Sequence, residues 1–195
     1  MKKILLLLVV IAIGTSVFAQ DVKFGVKGGL NFANYRGDDP DGDTKTDIYF
    51  GGFVRMELSE TVAFQPELIY SRQGSKGKED GVEAKIKNNY LNVPLLVRAK
   101  MFGSENLNAI VGPQIGIHLS SEGSEDDGST EISGDMDEVM SDLDFSLALG
   151  LEYDINDSFS IGARYNLGVS EIFNDDYFET DAKNSVFQIG VAFAF

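Results

Sequence analysis

The 195-residue chain carries no cysteine, a single histidine, and 31 acidic against 16 basic residues, a formal net charge of −15. That composition excludes thiol and disulfide chemistry and argues against a nucleic-acid partner, whose phosphates would be repelled. The length suits one domain.

The first element is a leader. Met1-Lys2-Lys3 is basic, residues 4–13 form an apolar run, and "VFA" precedes Gln20. A basic start, a short apolar stretch and a small-residue cleavage site describe a secretory signal over residues 1–19, cut after Ala19. A membrane-spanning helix needs about 20 apolar residues, twice what this run offers. Its removal leaves a domain of residues 20–195 with 14 basic and 31 acidic residues, a net charge of −17.

From Val22 onward large apolar residues alternate with small or polar ones. The first run is Val22, Phe24, Val26, Gly28, Leu30, Phe32; the last is Phe187, Ile189, Val191, Phe193, Phe195. Six similar runs lie between them, over 48–58, 62–70, 91–101, 107–119, 143–153 and 159–169. Period-two alternation marks strands with two different faces, and eight strands of roughly ten residues have the length of tilted bilayer crossings. Short turns at 59–61, 102–106 and 154–157 alternate with long polar connections at 34–46, 74–85, 120–142 and 170–184. Residues 120–142 hold nine acids and no base. The pattern predicts an all-β protein, an eight-stranded antiparallel up-and-down transmembrane β-barrel, with both chain ends in the periplasm and acidic loops outside.

A soluble barrel has the same period with its apolar face inward. Glycine distinguishes the two. Gly25, Gly29, Gly51, Gly112, Gly116, Gly150, Gly162, Gly168 and Gly190 share the polar phase. In a narrow barrel that phase is the lumen, where small residues make room for larger neighbours. Aromatics fall in two rows. Phe24, Phe64, Tyr153, Phe159, Phe193 and Phe195 lie near the short turns; Phe32, Phe50, Tyr70, Phe145 and Phe187 lie near the long loops. Phe24 and Phe32, eight residues apart, are separated by roughly 26 Å along a strand, the spacing of two interfacial girdles. Pro66, Pro94 and Pro113 fall inside strands. A closed barrel has no free edge to receive them, so bulges are expected there.

The segments "FGVKGGLNFAN" (24–34), "FQPELIYSRQG" (64–74), "YLNVPLLVRAK" (90–100), "VGPQIGIHLS" (111–120), "DFSLALGLEY" (144–153) and "IGARYNLGVSEIF" (161–173) span the mature chain in order. Together they resemble the PorT-like outer-membrane β-barrel family, often labelled simply porin family. The resemblance implies an eight-stranded barrel in a Gram-negative outer membrane and no particular activity. It also implies that the terminal aromatic, Phe195, is a recognition mark for the barrel-assembly machinery.

Six charges share the polar phase: Lys27, Arg55, Glu67, Arg98, Glu152 and Arg164. Counted from the short turns, Glu67 stands level with Arg55 and Arg98 on its neighbouring strands, and Glu152 with Arg164. Paired that way they form a structural network that fills the lumen, since eight strands enclose space for side chains alone. Catalytic, cofactor and metal sites are not expected. "HLSS" (118–121) offers His118 and two serines, but a lipid-cleaving triad must face the bilayer and His118 is in the lumen phase. Asp39, Asp41 and Asp43 have calcium-loop spacing, yet Thr44 and Phe50 stand where that loop wants glycine and glutamate. Divalent cations are therefore expected only as diffuse partners of the acidic loops. The reading is a monomeric, non-enzymatic barrel, embedded in outer-membrane lipid, with a plugged lumen and a structural, adhesion or surface-interaction role. A secretion accessory, a small-solute channel and a lipid-modifying enzyme are its rivals.

Overall fold

A computed structural model describes residues 22–37, 42–79, 81–101, 103–126, 128, 130–173 and 181–195 of the protein. The signal segment, and Asp39 and Asp41 of the calcium-like stretch, lie outside these residues. Nine strands follow in order: β1 (Val22–Arg36), β2 (Asp43–Glu57), β3 (Val62–Glu79), β4 (Val82–Lys100), β5 (Leu107–Asp126), β6 (Glu131–Asp135), β7 (Leu143–Asp154), β8 (Phe159–Gly168) and β9 (Lys183–Ala194). Eight of them close a ring in the order β1-β2-β3-β4-β5-β7-β8-β9, every neighbour antiparallel. Closure comes from β9 returning to β1, in register from Gly25↔Ala194 to Arg36↔Lys183. The backbone bond from Phe195 N–H to the Phe24 carbonyl (2.9 Å) carries the pairing to the last residue. No backbone donor or acceptor is then left facing lipid along that seam, the condition a membrane imposes.

The alternation read from the sequence sorts the two faces. Phe24, Val26, Phe50, Leu149, Ile161 and Val191 point outward, whereas Asn31, Glu67, Asn92, Gln114 and Gln188 are buried inside. Facing aromatics of the two rows touch across strands: Phe32 meets Phe187 (centroids 6.3 Å) and Phe50 meets Tyr70 (5.2 Å) at one end, Phe159 meets Phe193 (4.8 Å) at the other. Interior glycines serve two ends. A Cβ on Gly25 would overlap the ring of Phe53, and one on Gly190 the hydroxyl of Tyr49. On Gly51 or Gly112 it would overlap the backbone of the adjacent strand, because the wall of so small a barrel bends sharply there.

Three expectations need correction. Residues 74–85 are not a loop: β3 and β4 pair without a register break to Glu79↔Val82 and turn at Gly81, whose φ of +90° suits glycine. Similarly β5 runs on to Asp126, pairs there with β6, and is followed by a single 3-10 turn over Asp137–Val139. Finally, the prolines cause no bulge. Registers past Pro66, Pro94 and Pro113 are unbroken, and the two irregularities lie between Thr44 and Tyr49 on β2 and between Asn89 and Tyr90 on β4. The ladder tolerates each proline by omitting a few local pairs, such as those of Leu95 and Leu96 with β5, rather than by inserting a residue.

Candidate functional site

The lumen is the most organised region of the molecule, and its base is a layer of charge. β3 turns Gln65 and Glu67 inward, β1 Lys27, β2 Arg55, β4 Arg98, β7 Glu152 and β8 Arg164, all buried or nearly so. One Glu67 oxygen accepts from Lys27 Nζ (2.8 Å) and Gln65 Nε2 (2.9 Å); the other accepts from Arg164 Nη1 (2.8 Å). Glu152 accepts from Lys27 (3.1 Å) and Arg98 Nε (3.3 Å) and stands 3.8 Å from Arg55 Nη2. Arg98 also donates to both oxygens of Asp154 (2.6 and 2.5 Å) at the short-turn mouth. Upward, Arg164 donates to Gln188 Oε1 (2.7 Å), Gln188 to Asn31 Oδ1 (2.7 Å), and Asn31 to Ser71 Oγ (2.9 Å). Low dielectric strengthens each of these contacts and makes any missing partner costly.

All six charges singled out in the sequence meet in this layer, but with different partners. Neither Arg55 nor Arg98 bonds to Glu67; its bases are Lys27 and Arg164, and Glu152 takes the other two arginines. The reason is depth. Glu67 stands opposite Phe53 and Arg98 opposite Ala63, so Glu67 lies two residues farther from the short turn than Arg55 and four residues along β3 from the level of Arg98. The long side chains then reach across the narrow lumen instead of along the wall. Sequence reasoning missed Gln65, Gln188, Asn31 and Asp154; the first three carried a signal, being polar residues in the lumen phase.

Space around this layer is uneven. A void of about 20 Å³ beside Lys27, Tyr49, Glu152 and Arg164 has room for a single water. Below it an open vestibule of about 840 Å³ is lined by both signs of charge, including Arg55, Glu57, Lys100 and Asp157. Above it the upper lumen holds Asn92, Gln114, Asp144, Asn166 and Asn184, all buried. His118 faces this upper lumen, its ring edge-on to Tyr90 (centroids 5.6 Å), and its Nε2 meets neither a serine nor a carboxylate among the described residues.

Beyond the outer aromatic row, β3, β4, β5 and β6 continue as a four-stranded sheet, paired through Lys76↔Lys85, Lys85↔Ser124 and Ser124↔Ser133. β5 changes partner on the way: up to Ile117 it pairs with β7, and from Glu122 with β6. Ion pairs on the sheet are loose, as between Lys87 and Glu122 (3.6 Å). Among the described residues no three acidic or histidine side chains are grouped as a metal site, and Asp43 is an exposed residue opening β2.

Comparison with known proteins agrees with this architecture. No curated protein matches the chain. Among solved structures, Neisserial surface protein A superposes with a TM-score of 0.53 at 10% identity, covering 90% of this chain and all of that one. Ail, the attachment invasion locus protein of Yersinia pestis, gives 0.51 at 11% identity, over 90% of this chain and 99% of its own. A second Ail structure, in complex with the heparin analogue sucrose octasulfate, gives 0.50 at 14% identity, with the same coverage of both chains. Such distant likenesses establish the fold alone. Family membership rests on the sequence: the model of the outer membrane protein beta-barrel domain matches residues 18–174, and the chain belongs to that family of outer-membrane barrels.

Proposed function

We propose that this protein is a surface-interaction barrel of adhesion type, whose transmembrane part is a closed support and whose outward sheet is the working part. The observation that carries the reading is the sheet of β3 to β6, built on strands of 18, 19 and 20 residues where about ten suffice to cross a bilayer. Strand continuity transmits the rigidity of the barrel to that sheet, and a preorganised surface loses less entropy on binding than a floppy loop. The charged layer supports a closed lumen: it spans the ring, and the void beside it is water-sized.

The partner we infer is cationic, or bridged by divalent cations, because nine acids and no base lie in residues 120–142. That sets this chain apart from a barrel presenting a polyanion site such as Ail takes with sucrose octasulfate. No enzymatic role is proposed, since the ring of His118 meets Tyr90. We likewise propose PorT-like kinship, cleavage after Ala19, recognition of Phe195 during assembly, and a monomeric state in lipid.

The test is capture from intact outer membranes. A variant in which short turns replace residues 74–86 and 121–136 keeps the ring pairs from Gln73↔Asn88 and Asn89↔Ser120 toward the short turns. Wild type should retain a surface partner, released by salt, that this variant loses. Equal capture by both, or capture only of periplasmic proteins as for a secretion accessory, contradicts the reading.

A further inference from the structure

The lumen is electrically polarised. Its lower layer sets four bases (Lys27, Arg55, Arg98, Arg164) against three carboxylates (Glu67, Glu152, Asp154); in the upper lumen Lys45 is paired with Asp47, and Asp144 is buried with no base beside it among the described residues. Three carboxylates are buried in the described residues. Glu67 and Glu152 have cations within reach, while Asp144, 3% exposed, has among the described residues hydrogen bonds from Asn184 Nδ2 (3.0 Å) and Ser170 Oγ (3.2 Å) and no cation. An isolated buried carboxylate is strongly disfavoured unless a positive charge compensates it.

Its surroundings are rich in acceptors. Asn92 Oδ1, Gln114 Oε1, Asn166 Oδ1 and Asn184 Oδ1 are buried with no hydrogen-bond partner among the described residues, against one unpartnered donor, Asn166 Nδ2, and His118 Nε2, which can donate or accept. Asn92, Gly116 and Asp144 are register neighbours on β4, β5 and β7. Gly116 lets both side chains lie over it: a Cβ there would collide with Asn92 Oδ1 (2.8 Å) and stand 3.3 Å from Asp144 Cβ. The unpartnered amide oxygen of Asn92 and the side chain of Asp144 therefore lie over the same glycine.

We infer that the upper lumen holds a hard metal cation, bound by Asp144 and the unpartnered amide oxygens above Gly116, foremost that of Asn92. A proton on Asp144 would satisfy one acceptor, whereas a cation satisfies several oxygens together. Calcium fits best among hard cations, since it accepts carboxylate and amide oxygens at 2.3–2.6 Å in irregular arrangements. Such a site is separate from the diffuse binding expected of the acidic loops, and independent of the surface role proposed above.

The experiment uses the full mature barrel, refolded in micelles and freed of metal with a chelator. Its unfolding temperature is followed while calcium chloride is added at constant ionic strength, with magnesium and sodium chloride as parallel arms. Calcium at tenfold its dissociation constant should raise the wild-type temperature by about 3 °C or more. Asp144→Asn should unfold no lower than wild type in metal-free buffer and lose the rise, while Asp126→Asn on the outer sheet keeps it. A wild type insensitive to all three cations overturns the proposal, as does a rise that survives in Asp144→Asn, which would place the metal on the loops. Should Asp144→Asn fail to fold, Asn92→Ala decides: a calcium midpoint weakened about tenfold supports the site, and an unchanged one refutes it.

Discussion

Glu67 shows how one side chain is set by its surroundings. It is 4% exposed and holds Lys27, Gln65 and Arg164, residues of β1, β3 and β8. Replacing it by glutamine keeps the volume and leaves two buried cations short of an anion. Removing one partner of a buried pair typically costs about 3–5 kcal/mol, whereas an exposed charge is worth little. Glu67→Gln should therefore lower the unfolding temperature, read by heat-modifiable gel mobility, well beyond Asp126→Asn; equal shifts would remove the network from the account. The residue scale also shows what a sequence can convey here. That Lys27, Arg55, Glu67, Arg98, Glu152 and Arg164 face inward follows from alternation alone. Which base meets which acid does not, because it depends on the stagger between strands and on reach across the lumen.

At the scale of elements, alternation is legible only where the two faces differ in solvent. Inside the bilayer one face meets lipid and the other the lumen, so apolar and polar residues must alternate. Above it both faces of β3 and β4 are wet, and "KGKE" (76–79) has no reason to alternate though its backbone is paired with β4 to Glu79↔Val82; "VEAKIK" (82–87) does alternate, a strand signal that sequence reasoning missed. Lost alternation also hid the upper part of β5 and all of β6. The prolines misled for a different reason: a missing donor can be left to a local gap without an inserted residue. Two predictions belong here. Deleting Phe193–Phe195 removes the pairs Val26↔Phe193 and Gly25↔Ala194 and the bond to Phe24, opening the seam next to lipid. The truncated chain should accumulate unassembled in the periplasm; normal heat-modifiable mobility would refute that. Protease added to intact cells should cut within the β5–β6 connection at 127–130 and spare the turn at 154–157. The reverse pattern would invert the orientation.

For the molecule as a whole, the proposed function divides the work between the barrel and its outward extension. The membrane part carries aromatics at both rims and crossed ion pairs inside. The outer sheet carries exposed charge on strands continuous with those of the barrel. A channel would reverse these emphases, with an open lumen and loops that merely close the rim. Current through the purified wild-type monomer in a planar bilayer separates the two most directly. The charged layer predicts near-zero conductance at moderate voltage, largely unchanged in Glu67→Gln because the side-chain volume is kept. A steady current on the nanosiemens scale from the wild-type monomer would contradict it.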